Sequence, residues 1–331
     1  MGTVPEVRFI IFGAGAIGGV VGGRLVQAGH DVVLIARGAH ATAILTVGLT
    51  LESPDESQTM RVPTASDASG IRFRPEDVVL LAVKSQHTLA ALNSLRDHAP
   101  PATPIVCLQN GVENERAALR LFPNVYGVSV MCPTAHLSPG VVQAFSSPVT
   151  GILDVGRYPS GADGTAQAIS RIFAQSTFSS QMRTDILRWK YAKLLTNLGN
   201  AVEAVCGPQA RRGPIGGVLK DEGVACLRAA DIAFASDEED AARRGELLNM
   251  RPIGVKDRQG GSSWQSLTRQ SGSIETDYLN GEIVLLGRLH GVPTPANALL
   301  QELANQMAAD GSPPGMLSEE DFLERLADAD S

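Results

Sequence analysis

The chain changes rhythm partway along. Val7-Arg8-Phe9-Ile10-Ile11-Phe12 is almost continuously apolar, a pattern that suits a strand buried on both faces of a parallel sheet. Similar short runs return at Asp31–Ala36, Asp77–Val83 and Pro104–Leu108. Helical stretches are predicted between them, over Gly18–Ala28, over Ala39–Val47, and from Thr88 to about Asp97. Strand alternating with helix predicts a doubly wound sheet. Gly48–Glu52 and Met60–Pro63 read as short strands around the polar turn Ser53–Ser57. Tyr126–Cys132 and Gly140–Phe145 read as an antiparallel extension turning at Pro133–His136. A loop at Tyr158–Gly161, a helix to about Ser176 and a last strand within Thr177–Arg183 close this part.

From Ile186 onward the spacing is helical. The expected fold is therefore α/β: an N-terminal Rossmann-type doubly wound sheet over residues 1–183, then an all-α C-terminal domain over 184–331. Ile186–Ala201 is expected as one helix, with Lys193, Asn197, Asn200 and Ala201 on one broad face. Lys190, about a turn away, is read as a lysine whose loss would be mild. Gly260–Leu267 reads as a flexible loop entering a helix, and Glu275–Gly281 precedes a helix ending at His290. Another helix begins after Pro295. Ser318-Glu319-Glu320-Asp321 resembles a capping box before the last short helix.

The chemistry concentrates at the ends of the predicted strands. Gly13, Gly15 and Gly18 have the spacing G-x-G-x-x-G, between a strand and a helix. The first glycine permits a tight turn, the second lets backbone approach a pyrophosphate, and the third lets helix pack on strand. The helix N-terminus would then hold the pyrophosphate. The second strand ends in Arg37 rather than in the acid that bonds a ribose 2′-hydroxyl. A guanidinium there matches a 2′-phosphate, so NADP(H) is expected over NAD(H). Lys84 and Asn110 also fall at strand ends, where ligands sit in such sheets. His136, alone in a loop, is read as structural.

Composition narrows the class. The 331 residues are 44% hydrophobic and 19% charged with a net charge of -7, which describes a globular protein and argues against a nucleic-acid surface. Arg211-Arg212 is the single tight basic pair in a glycine-rich loop. The four cysteines lie far apart without C-x-x-C spacing and read as core residues, neither a metal site nor a disulfide framework. Glu6 and Arg8 interrupt any signal pattern, and no apolar run reaches spanning length. A cytoplasmic location is expected. The expected partners are a small substrate and a second copy in a homodimer, with no nucleic acid and no membrane.

Taken in order, Gly13-Ala14-Gly15-Ala16-Ile17-Gly18, Ala82-Val83-Lys84, Gln109-Asn110-Gly111, Lys193–Asn197, Ser262-Ser263 and Glu275–Gly281 resemble the ketopantoate reductase (2-dehydropantoate 2-reductase) family. The likeness covers nearly the whole chain. It implies a Rossmann domain and a helical domain with the active site in the cleft between them, and a role in pantothenate biosynthesis. It further implies NADPH-dependent reduction of a 2-oxo acid, with Lys193 as general acid. The implied cofactor set is Gly13, Ala14, Gly15, Ala16, Ile17, Gly18, Arg37, Lys84, Asn110, Ala135 and Glu275. The implied substrate set is Asn110, Lys193, Asn197, Asn200 and Ser263. An ammonium suits this chemistry because it stabilises charge growing on the ketone oxygen and supplies the proton. Three positions depart from the family pattern: Ala201 and Gly260 replace asparagines, and Trp264 stands where methionine is common. Two alternatives therefore stay open, a reductase of a different 2-oxo acid and a silent NADP-binding sensor.

Overall fold

A computed structural model of the chain describes residues 7–255, 258 and 260–329, the side chains of Arg212 and Ala329 apart. Glu6 and the Arg212 side chain, both used above, lie outside the described residues. Two compact units emerge. One runs through Lys190 and takes back Glu238–Arg258; the other holds Tyr191–Asp237 and the chain beyond Arg258.

The strands of the first unit are β1 (Arg8–Phe12), β2 (Asp31–Ile35), β3 (Leu49–Glu52), β4 (Ser57–Met60), β5 (Thr64–Ala65) and β6 (Asp77–Leu81). They continue with β7 (Ile105–Cys107), β8 (Val125–Met131), β9 (Thr134–Ala135), β10 (Val141–Ala144), β11 (Gly151–Arg157) and β12 (Phe178–Ser179). Its main sheet has the order β12-β11-β8-β7-β6-β1-β2-β5. The core of this sheet is parallel, with β1 between β2 and β6. Helices α1 (Ala16–Gln27), α2 (Gly38–Thr46), α3 (Thr88–Arg96), α4 (Glu113–Leu119) and α5 (Gly164–Gln175) belong to this unit.

The continuous apolar run of β1 is explained by burial on both faces. Phe9 and Ile11 pack with Val20, Val21 and Leu25 of α1, while Ile10 and Phe12 pack with Leu92 and Leu95 of α3. Helices on both sides of a parallel sheet give the doubly wound architecture. At the opposite end of the same strands, Arg8 makes a buried two-pronged pair with Asp77 at 2.7 Å.

The antiparallel extension differs from the expectation. β10 does not join β8 but pairs with β3 and β9 in a separate four-stranded sheet. The antiparallel partner of β8 is β11, which the apolar pattern misses because Gly151, Asp154 and Gly156 interrupt it. The glycines there permit close approach: a Cβ on Gly156 would lie 2.2 Å from the Arg183 carbonyl oxygen. Asp154 is buried and receives both Arg183 and Arg243. Arg243 lies in the returning segment, so this pairing ties that segment to the rest of the first unit. Helix α4, rich in charge and too polar to stand out, was also absent from the sequence reading.

The remaining helices are α6 (Ile186–Asn197), α7 (Gly199–Cys206), α8 (Pro214–Ala229), α9 (Asp237–Arg244), α10 (Ser262–Thr268), α11 (Asn280–His290), α12 (Pro295–Ala309) and α13 (Glu319–Ala329). The helix expected over 186–201 is thus two, parted at Leu198 just before Gly199, a weak helix former. Leu198 keeps helical dihedrals. The predicted capping box is present: Ser318 Oγ accepts from the Asp321 amide, and the Asp321 carboxylate accepts from the Ser318 amide. Among the described residues no helix is long and apolar enough to cross a membrane.

Candidate functional site

The turn from β1 into α1 is built from backbone, and each glycine meets a different constraint. Gly13 has φ +105°, and a Cβ there would lie 2.8 Å from the Val83 amide nitrogen. Gly18 packs so closely that a Cβ would sit 2.1 Å from the Gly13 carbonyl oxygen and 2.9 Å from Ala82. Gly15 is the opposite case, since nothing lies within 4 Å of the Cβ position. The amides of Gly13 and Ala14 both donate to the Ile35 carbonyl at 3.1 Å, which joins the turn to the end of β2.

A pocket of about 470 Å³ opens along this turn. Gly13, Ala14, Gly15, Arg37, His40 and His136 are among its lining residues. Among the described residues no carboxylate lines it. Arg37 is exposed and caps α2; its Nε donates to the Ser66 carbonyl at 3.4 Å. The open face of Gly15 and the cationic mouth of the pocket fit a dinucleotide, backbone against pyrophosphate and guanidinium toward phosphate. Ala16, Ile17 and Gly18 follow as the first turn of α1. Ala135, in β9, is buried and not among the lining residues.

Lys84 and Asn110 lie outside that lining, beyond the neighbouring ends of β6 and β7. A buried polar network fixes the backbone beside them. The Gln109 amide nitrogen reaches the Val83 carbonyl at 2.8 Å, Thr88 Oγ1 at 2.7 Å and Asn114 Oδ1 at 3.2 Å. Asn114 in turn donates to Ser85 Oγ and to the Asn110 carbonyl. Lys190 Nζ donates to the Gln109 carbonyl at 2.9 Å and pairs with Glu115 at 2.5 Å, the two side chains being 2% and 0% exposed. Burial pushes the Glu115 carboxyl up, while the adjacent ammonium opposes that push. The reading of Lys190 as a dispensable lysine is therefore corrected: it is the cation of a buried ion pair. Its helical position faced a partner that sequence periodicity does not reveal.

The second unit gathers another set. Lys193 is half-buried on α6, with the buried Asn197 one turn on. Asn200 is buried in the first turn of α7. Ser263 sits in the first turn of α10, 2% exposed, and its hydroxyl has no hydrogen-bond partner among the described residues. A buried hydroxyl without a partner is costly in isolation and suits a ligand contact. Glu203, missed by sequence reasoning, holds this helix start: its Oε2 accepts from the Gly261 amide at 3.0 Å and from Arg211 at 2.9 Å. Asn200 faces the same turn, its Oδ1 3.5 Å from a Cβ built on Gly261. Gly260 has φ +58°, and a Cβ there would lie 2.4 Å from the Trp264 ring. Glycine at 260 and tryptophan at 264 are thus one packing solution. Glu275 is buried at the start of the turn Glu275–Tyr278.

The four cysteines are free, and burial pushes the Cys132 thiol up to about 12. Such thiols are poor nucleophiles.

Two models of one family match in succession: ketopantoate reductase PanE/ApbA over residues 9–159, and its C-terminal model over 185–308. The chain belongs to the ketopantoate reductase family. The 2-dehydropantoate 2-reductase of Pyrococcus horikoshii is 28% identical over 304 residues, covering 90% of this chain and 96% of its own. A PanE/ApbA family ketopantoate reductase from Ralstonia eutropha JMP134, known by crystal structure, is 30% identical with TM-score 0.77, covering 92% of this chain and 99% of that one. A D-mandelate dehydrogenase solved with NADH and anilino(oxo)acetate shares the fold with TM-score 0.79 at 22% identity, covering 92% and 99%. The family is one of oxidoreductases, and the Pyrococcus horikoshii relative is by name a reductase of 2-dehydropantoate.

Proposed function

We propose that this chain is an NADPH-dependent reductase of a 2-oxo acid, with ketopantoate the leading candidate. The observation that carries the cofactor half is the pocket at the glycine turn, where Gly15 leaves open space and Arg37 contributes a guanidinium to a lining that, among the described residues, holds no carboxylate. When bound, the cofactor supplies the hydride, and the protein positions the reactants. Gly15 lets backbone meet the pyrophosphate, and Arg37 grips the 2′-phosphate with charge-assisted hydrogen bonds. Lys193 holds the proton destined for the ketone oxygen and stabilises the charge that grows there. Asn197, Asn200 and Ser263 bond the substrate carboxylate without adding charge, and Asn110 and Glu275 serve the cofactor. The Ser263 hydroxyl, buried and unpartnered, supports that substrate role.

A second reading, a different 2-oxo acid, is favoured by one observation: the indole of Trp264 occupies the space beside Gly260. Purified protein assayed with NADPH against a panel of 2-oxo acids separates the two. Turnover of ketopantoate alone excludes the second reading, whereas tight NADPH binding with no turnover of any acid favours the sensor.

Lys193→Ala tests the chemistry. Removing a positioned general acid lowers the rate by ~10²–10⁴, so kcat should fall by that order while NADPH affinity stays close to normal. Near-normal turnover would show that the proton comes from elsewhere. Arg37→Ala tests the cofactor, and fluorescence titration should show NADPH weakened about ten- to a hundredfold and NADH nearly unchanged. Equal losses for both would remove the 2′-phosphate from the assignment, as would a preference of the unmodified protein for NADH.

A further inference from the structure

His40 touches two obligate backbone groups. Its Nε2 lies 2.7 Å from the Ala14 carbonyl oxygen, in the glycine turn, and its Nδ1 lies 2.9 Å from the Gly140 amide nitrogen. A carbonyl only accepts and an amide N–H only donates. The ring is therefore neutral with its proton on Nε2, and neither nitrogen is left to face a ligand. Gly140 is itself fixed, because its carbonyl accepts from the Thr50 amide at 2.8 Å. The imidazole consequently links the glycine turn to the start of β10 in the second sheet. It lies against His136, the rings tilted by 51° with centroids 4.1 Å apart, and His136 is anchored through its Nδ1 at 3.0 Å from the Val141 carbonyl.

We propose that His40 is a positioning residue of the nucleotide pocket: neutral, it latches the Ala14 carbonyl to the Gly140 amide, and protonated, it releases the turn and weakens dinucleotide binding. This rests on reading the pocket as a dinucleotide site. A second proton would have to sit on Nδ1, pointing at the Gly140 N–H, so the ring must abandon that bond. The Ala14 carbonyl belongs to the turn whose backbone the pyrophosphate approaches, so its freedom is felt by the ligand directly. Burial favours the neutral form, holding the imidazole below the ordinary histidine range and keeping the latch closed near neutral pH. The other titratable or charged side chains lining the pocket are Arg37, His87 and His136, and Asp67 interacts electrostatically with Arg37. None of these is a carboxylate beside His40 that would favour its protonation.

The alternative role for a histidine here is a cation for phosphate, and it predicts the opposite sign. The test is calorimetric titration of the full chain with NADP⁺ and, in parallel, NAD⁺ at several pH values between 5.5 and 8.5. The comparison proteins are His40→Gln, which keeps a donor for the Ala14 carbonyl and does not titrate, and His98→Gln, exposed just beyond the C-terminal end of α3. The ligand's own phosphate titration is common to all and cancels in the ratios. On going from pH 8 to 5.5 the unmodified protein and His98→Gln should lose about three- to fivefold more affinity than His40→Gln, for both nucleotides, the part of a tenfold weakening on full protonation that this range reaches. Parallel curves for all three proteins overturn the latch alone. Absence of binding by either nucleotide at any pH overturns the latch together with the cofactor reading.

Should His40→Gln fail to fold, imidazole ¹⁵N spectra of the unmodified protein decide the matter. By linkage, a tenfold weakening on protonation requires the His40 midpoint to fall by about one pH unit when NADP⁺ saturates the site. A midpoint that stays or rises identifies a spectator or a phosphate-binding cation and overturns the latch.

Discussion

The glycine turn and the strand ends beside it serve one sheet but are built by opposite means. At the turn, the determining atoms are backbone: Gly13 at φ +105°, Gly18 against the Gly13 carbonyl, and two amides on Ile35. At the ends of β6 and β7 the determining atoms are side chains drawn from four separate stretches, with Gln109, Asn114, Thr88 and the Lys190–Glu115 pair interlocked out of water. A backbone-built site tolerates change wherever a side chain meets open space and fails where it meets another chain segment. A side-chain-built site fails when any one buried polar member loses its partner.

The largest effect should therefore come from the network. Lys190→Ala leaves the Glu115 carboxylate buried without its cation, and breaking such a pair costs about 3–5 kcal/mol. The variant should unfold at markedly lower denaturant concentration than the unmodified protein or Lys193→Ala. The double change Lys190→Met with Glu115→Gln removes both charges and should recover much of the loss. If Lys190→Ala instead proves as stable as the unmodified protein in urea, the network is not what holds the strand ends, and the contrast with the glycine turn dissolves.

These two constructions also decide what could be read in advance. G-x-G-x-x-G is a spacing, and its meaning lies in the chain itself, so the turn, the helix after it and the position of Arg37 followed from residues alone. The doubly wound sheet was legible for the same reason, since β1, β2, β6 and β7 are each continuous apolar runs. β11 was not, because Gly151, Asp154 and Gly156 serve close approach and the pairing with Arg243, contacts that exist only in three dimensions. Lys190 and Glu115 lie 75 residues apart, and nothing in helical spacing tells a buried lysine from a solvated one. Lys193 was singled out by likeness to a family, and periodicity alone offers no reason to prefer it. His40 escaped notice because its function is to join two backbone groups 126 residues apart, Ala14 and Gly140, and no motif records that.

The smaller effect sharpens the comparison within the turn itself, through two alanine substitutions three residues apart. Gly18→Ala places a methyl 2.1 Å from the Gly13 carbonyl oxygen and 2.9 Å from the Ala82 side chain. Neither neighbour is a flexible side-chain end, so helix α1 must move off the strand, an overpacking that costs about 1–3 kcal/mol. Gly15→Ala meets nothing within 4 Å, and Gly15 has φ -71°, which alanine adopts freely. Its thermal midpoint should stay with the unmodified protein while NADPH affinity falls, because the new methyl projects where backbone must approach the pyrophosphate. Gly18→Ala should show the reverse order of effects, with stability lost first and affinity falling as a consequence. Melting curves with and without NADPH, beside fluorescence titrations, read both quantities on each variant. A Gly15→Ala protein that binds NADPH normally would mean that the open face of the turn is not where the pyrophosphate lies.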